Sequence, residues 1–84
     1  MEEIPIGKVT HYFSHLAVAA IELTGDLKVG DTIQIKGHTT DFTEKIDSIQ
    51  IEHMSVTSAK PGDKIGIKMK QHAREHDIVC KVVG

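Results

Sequence analysis

Gly25-Asp26-Leu27-Lys28-Val29-Gly30-Asp31-Thr32-Ile33-Gln34-Ile35-Lys36-Gly37 is the stretch that most restricts how this chain can fold. Gly25 and Gly30 bracket a turn region. Ile33 and Ile35 then fall on one face of a short strand, with Thr32, Gln34 and Lys36 on the other, and Gly37 closes it. The run Ala59-Lys60-Pro61-Gly62-Asp63-Lys64-Ile65-Gly66-Ile67-Lys68-Met69 repeats this grammar, a Pro-Gly turn feeding a two-residue alternation. Strands launched from tight glycine-containing turns predict an all-β fold: a small six-stranded antiparallel closed β-barrel.

The flanking sequence fills in the other strands. Ile4 to His11 reads as the first, with Pro5 near its start or on an edge and a bulge near Gly7, where Ile6 and Val9 fall out of phase. Tyr12 to His15 is the expected turn. The second strand, Leu16 to Leu23, changes phase between Leu16, Val18, Ala20 and Ile21, Leu23, as a bent barrel strand does. A long fourth strand is expected from Phe42 to Met54, with a bulge near Asp47-Ser48. Ser55 to Pro61 turns back, with Val56 and Ala59 covering one barrel mouth. The fifth strand places Ile65, Ile67 and Met69 inward and Lys64, Lys68 and Lys70 outward. Gln71 to Asp77 is a polar connection, and the last strand, Ile78 to Val83, points Ile78, Cys80 and Val82 inward. No internal repeat or linker divides the chain, so residues 1–84 are read as one domain.

Composition narrows the function classes. With 84 residues there is room for one core and none for a separate catalytic lobe. The longest apolar run, Leu16 to Ile21, is far short of the ~20 residues of a membrane helix, which predicts no membrane partner. An acidic Met1-Glu2-Glu3 start and a lone Cys80 predict a cytoplasmic protein. A net charge of −2 is unlike a dedicated nucleic-acid binder. The basic residues nonetheless gather after Ala59, where Lys64, Lys68, Lys70 and Arg74 form a candidate strip.

Side-chain chemistry yields no catalytic group. Ser14 and His15, or His53 and Ser55, are close in sequence without the arrangement a nucleophile and base need. Glu52 and His53 project to opposite faces of a strand. The four-residue spacings His11/His15 and His72/His76 suit one metal ion on a helix. On a strand the same spacing separates them by roughly 13 Å; His11 and His15 could still meet across the Tyr12-Phe13-Ser14 turn, and His72 and His76 could if their connection forms a helical turn. With no second cysteine to support either pair, no metal site and no cofactor are predicted. Tyr12 and Phe13 at a turn tip, with Val56, are candidate protein contacts.

The two turn-strand runs, the closing Asp77-Ile78-Val79, and the local patterns Lys8-Val9-Thr10-His11-Tyr12-Phe13, Gln50-Ile51-Glu52-His53 and Arg74-Glu75-His76-Asp77 together resemble a known family. From about Ile6 to Val83 the chain is similar to the second-domain β-barrel of translational GTPases such as elongation factor Tu. It resembles still more the translation elongation factor-like proteins and the C-terminal barrel of collagenase-like peptidases. The resemblance implies a barrel of the elongation factor domain 2 type used as a non-enzymatic docking module. No Gly-x-x-x-x-Gly-Lys-Ser/Thr loop is present, so this chain alone binds no nucleotide. Where the family contacts tRNA through a carboxylate and an arginine, this chain has Gln50 and His53. Two readings follow. In the first, Gln50, His53, Lys64, Lys68, Lys70 and Arg74 contact tRNA or ribosomal RNA in a translation-linked role. In the second, an apolar patch near Tyr12, Phe13 and Val56 docks a protein partner such as a collagenase-like peptidase.

Overall fold

The computed structural model describes residues 2–83. Ten strands follow in chain order: β1 (Glu2–Phe13), β2 (Val18–Leu23), β3 (Leu27–Lys28), β4 (Thr32–Lys36), β5 (Asp41–Lys45), β6 (Ile49–Ile51), β7 (Met54–Val56), β8 (Ser58–Ala59), β9 (Lys64–Lys68) and β10 (Ile78–Val83). Eight form an antiparallel sheet in the order β5-β4-β10-β1-β2-β9-β6-β7, and β3 pairs with β8 as a small ribbon. No helix among the described residues is long and apolar enough to cross a membrane.

β1 is the spine. Its first half pairs with β10 and its second with β2, and the register slips between Pro5 and Gly7 and again between Val9 and His11. The first slip is the bulge expected at Gly7. Such bulges bend a strand and raise its twist, which lets one strand serve two differently directed neighbours. Ile6 and Val9 are both buried although they are out of phase.

The turns that launch strands share one construction. In Lys28–Asp31, Lys60–Asp63 and Arg74–Asp77 the fourth residue's N–H donates to the first residue's carbonyl, at 3.1, 3.0 and 3.2 Å. The aspartate carboxylate accepts from the first residue's N–H at 3.0, 3.0 and 2.9 Å. The third residue has positive φ: Gly30 99°, Gly62 93°, His76 72°. This is the type II pattern with an added side-chain clasp. β4, β9 and β10 each start at the next residue. The grammar shared by the first two turn runs therefore recurs at a third turn, where histidine stands in place of glycine.

The core gathers Val9, Ile21, Leu23, Leu27, Ile33, Ile35, Ile46, Ile49, Ile67 and Val79, all essentially inaccessible. Each such aliphatic side chain contributes about 1.5–3 kcal/mol on burial. The alternation expected in β4 and β9 holds: Ile33, Ile35, Ile65, Ile67 and Met69 are buried, and Lys64, Lys68 and Lys70 are exposed.

Other expectations are corrected. The sheet is not closed into a six-stranded barrel. The single strand expected from Phe42 to Met54 is broken at residues 46–48, so β5 pairs only with β4, and β6 pairs with β9 and β7. Ile46 is buried and exchanges backbone bonds with Gly30 and Asp31 at 2.9 Å each, which carries the β4–β5 register one residue past Lys45. Only these three residues link β5 to β6, so the sheet must curl until the end of β5 lies within roughly 15 Å of the start of β6. The strand expected from Leu16 begins at Val18, and Leu16 lies in the turn at 64% exposure. β2 keeps one phase, with Ala19, Ile21 and Leu23 inward. In β10 Val79 and Cys80 are buried and Ile78 is exposed, because both buried residues lie opposite the Pro5/Gly7 bulge of β1.

Candidate docking groove

On the outer face of the sheet, β2 presents Val18 and Ala20, β9 presents Lys64, Gly66 and Lys68, and β6 presents Gln50. Ala20, Gly66 and Gln50 sit side by side in register across three strands. A methyl next to a residue with no side chain leaves a trough, bordered by Val18: a Cβ built on Gly66 would stand 3.3 Å from Val18 Cγ1. The trough encloses about 340 Å³ and is also lined by Phe13, Leu16, Glu52, His53 and Ile65.

Its two walls are turns. On one side Phe13 and Leu16 stand 44% and 64% exposed. Leu16 N–H donates to Phe13 carbonyl at 3.1 Å, and Ala17 carbonyl accepts from Met69 N–H at 2.7 Å, which ties this turn to the end of β9. The Phe13 ring meets the His11 imidazole edge-on, centroids 4.4 Å apart. The other wall is the β6–β7 hairpin, whose central residues Glu52 and His53 have φ of 52° and 66°. Beyond it Met54 is 70% exposed. Exposed apolar groups gathered around a dip mark an interaction surface more than a scatter of single ones does.

The structure thus brings Phe13, Gln50, His53 and Lys64 together, with Lys68 on the same face. It does not bring the rest. Tyr12 points to the other side of β1, packs against the core and lies against His72 with centroids 4.3 Å apart. Val56 is half-buried against the core. Lys70 follows β9, its backbone N–H held by the buried Glu44 carboxylate at 3.0 and 3.2 Å. Arg74 lines a separate depression with Thr39, Thr40 and His72. Sequence reasoning missed Leu16, Val18, Ala20 and Gly66. A glycine in mid-strand was the available signal, since it often marks close approach by another chain.

A larger depression of about 570 Å³ is lined by Asp26, Lys28, Asp31, Lys60, Asp63 and Lys81. Three of these charges are engaged: Asp31 and Asp63 clasp their turns, and Asp31 stands 3.8 Å from Lys81 Nζ. Among the described residues no three His, Cys, Asp or Glu side chains converge as a metal set. His11 faces Glu75 at 3.5 Å, and His76 occupies its turn.

No protein-family model matches the chain. Over 78 residues it is 45% identical to an uncharacterized protease of Methanocaldococcus jannaschii, covering 92% of this chain and 19% of that protein. It is 38% identical over 78 residues to a collagenase of Porphyromonas gingivalis, covering 90% and 19%. The chain thus spans about one fifth of the length of these relatives. Among solved structures, the C-terminal domain of a Geobacillus thermoleovorans protein assigned to the U32 peptidases superposes with a TM-score of 0.88 at 21% identity, covering 96% of this chain and 93% of that one. Its selenomethionine variant gives 0.84 at 20%, covering 89% and 95%.

The fold is that of a U32 peptidase C-terminal domain. The translation elongation factor-like and RNA-binding expectations are overturned by these relatives, which are peptidases. The physical reason is that the shared signature encodes clasped type II turns, a device of backbone geometry that carries no ligand. Of the basic residues, Lys64 lines the trough and Arg74 a different depression. Of the two resemblances, the collagenase-like one stands.

Proposed function

We propose that this chain is a non-catalytic docking module that steadies or recruits the body of a collagenase-like peptidase. The observation that carries this reading is the trough, where Phe13 and Leu16 stand exposed around a floor of Ala20 and Gly66. An apolar surface of this kind is stabilised by being covered. About four fifths of each curated relative lies outside the matched segment, and in this reading the catalytic body is there. The buried free Cys80 suits a reducing cytoplasm, where we place the module.

The test uses a collagenase-like peptidase body from the same organism with its own matched segment removed. Mixed with this chain, it should form a complex by light scattering that persists in high salt, as an apolar contact does. Leu16→Asp should weaken the complex by about tenfold or more. Absence of a complex, or one indifferent to Leu16→Asp and Met54→Asp together, would overturn the reading.

A further inference from the structure

We infer that Asp47 is a modification site, where the backbone nitrogen of Ser48 attacks the side-chain carboxyl and turns aspartate into isoaspartate. The chemistry needs only water. A bond forms between Ser48 N and Asp47 Cγ, the carboxyl hydroxyl leaves with the amide proton as water, and a five-membered imide closes. Water then reopens the ring at either carbonyl. Cleavage of the new Cγ–N bond restores aspartate. Cleavage between the main-chain carbonyl carbon of Asp47 and Ser48 N routes the backbone through Cβ and Cγ, and the old main-chain carbonyl becomes the free carboxylate. Mass and charge return to their starting values. None of these residues lines the trough, so the site stands independently of the peptidase reading.

The chain contains no asparagine, so the reaction is open only to Asp26, Asp31, Asp41, Asp47, Asp63 and Asp77. Ring closure requires a reachable nitrogen on the following residue and a carboxyl free to turn toward it. Five of the six fail the first condition. Leu27, Thr32, Lys64 and Ile78 open β3, β4, β9 and β10, and Phe42 lies within β5. Pairing holds such backbone extended, and a local opening must precede attack. Four of the carboxyls are also engaged: Asp31, Asp63 and Asp77 clasp their turns, and Asp41 Oδ1 accepts from Gln34 Nε2 at 2.6 Å. Asp47 meets both conditions. Ser48 lies between β5 and β6, outside every strand, and both residues are exposed. Among the described residues neither the Asp47 carboxylate nor the Ser48 N–H has a hydrogen-bond partner. The small serine side chain leaves its nitrogen open to approach. The neighbours accommodate the product. Ile46 is held by its bonds to Gly30 and Asp31, Ile49 by its pairing with Val56, and both are buried. One added main-chain carbon falls between these two anchors and shifts neither register.

Prolonged warm incubation of the folded chain, followed by peptide mapping with electron-based fragmentation, tests the inference. An isomer of unchanged mass should accumulate at Asp47 about tenfold faster than at any other aspartate, the rate factor of one forfeited hydrogen bond. The new carboxyl should accept a methyl group from S-adenosylmethionine in the presence of an isoaspartyl methyltransferase. Ser48→Val should slow the conversion, since a branched side chain shields the nitrogen, and Asp47→Glu should end it at this position. In the converted chain the amide spectrum should change around residues 46–49, while the β4–β5 and β6–β7 ladders keep their hydrogen-exchange protection. A free peptide of residues 44–51, incubated in parallel, sets the intrinsic rate. The inference is overturned by an unmodified folded chain once that peptide has converted, or by equal or faster conversion at another aspartate. Loss of ladder protection in the converted chain would overturn it as well.

Discussion

The two loop clusters of this sheet meet the same backbone demand with different residues. At the clasped turns beside the β3–β8 ribbon, positive φ is taken by Gly30 and Gly62, the residue for which it is nearly free. Around the trough it is taken by Ala17, Glu52 and His53, each at about 1–2 kcal/mol. The β6–β7 hairpin is the sharper case. Both of its central residues are left-handed, the type I′ arrangement for which Asn-Gly is preferred, yet it carries Glu-His. Strain held at a rim of exposed apolar groups is a pointer to function, whereas the glycine turns serve the fold. The Arg74–Asp77 turn lies between the two, with His76 in the left-handed region, a residue that visits it more readily than most.

Substitutions can break this contrast or sharpen it. The largest effect is expected at Gly37, where a Cβ would fall 1.8 Å from Asp77 Oδ1. Gly37→Ala must displace the buried carboxylate that clasps the third turn, and should lower stability by about 2–4 kcal/mol in urea titration. Gly30→Ala and Gly62→Ala should each cost about 1–2 kcal/mol; a neutral result at both would erase the distinction between the clusters. At the rim the sign reverses. Glu52→Asn with His53→Gly should raise stability by about 1 kcal/mol and raise the midpoint of thermal unfolding, while weakening capture of the peptidase body. His76→Gly should stabilise by about 0.5–1 kcal/mol without touching capture.

The smallest effect is expected at an ion pair outside both clusters. The hydrogen bond from Lys36 to Glu3 holds the lysine above its ordinary value of 10.5. A group with a raised folded pKa lends stability below its unfolded value and loses it as pH climbs through the folded one. Neutral pH therefore retains the contribution and strongly alkaline pH removes it. Glu3→Gln should lower the Lys36 pKa measured by NMR and leave the urea midpoint at neutral pH almost unmoved.

Much of the fold was legible in the sequence because turn chemistry is local. Gly30, Gly62 and their aspartates declare the turns, and the alternation of Ile33/Ile35 and Ile65/Ile67 declares the strands that follow. What escaped depends on partners distant in sequence. Whether Ile78 or Val79 faces inward is decided by a bulge in β1, some seventy residues earlier, and nothing within Ile78–Val83 announces it. The break at residues 46–48 depends on Ile46 bonding to the Gly30-Asp31 turn. Half of the trough is visible in the sequence, Gln50, His53 and Lys64 as candidate RNA contacts and Phe13 as a candidate protein contact, and their convergence depends on the register of three strands. The resemblance to translation factors does not extend to their ligand, because turn signatures report backbone geometry alone.

The seam at residues 46–48 has a mechanical meaning. A fully laddered cylinder has its girth fixed by strand number and stagger; this sheet is unpaired between β5 and β6, and the Glu44 carboxylate on the Lys70 backbone ties β5 to the residues that follow β9. Asp47 and Ser48 beside that fastening are exposed. Lengthening the chain there would widen the gap between β5 and β6 without shifting a rung, which makes the seam an adjustable buckle.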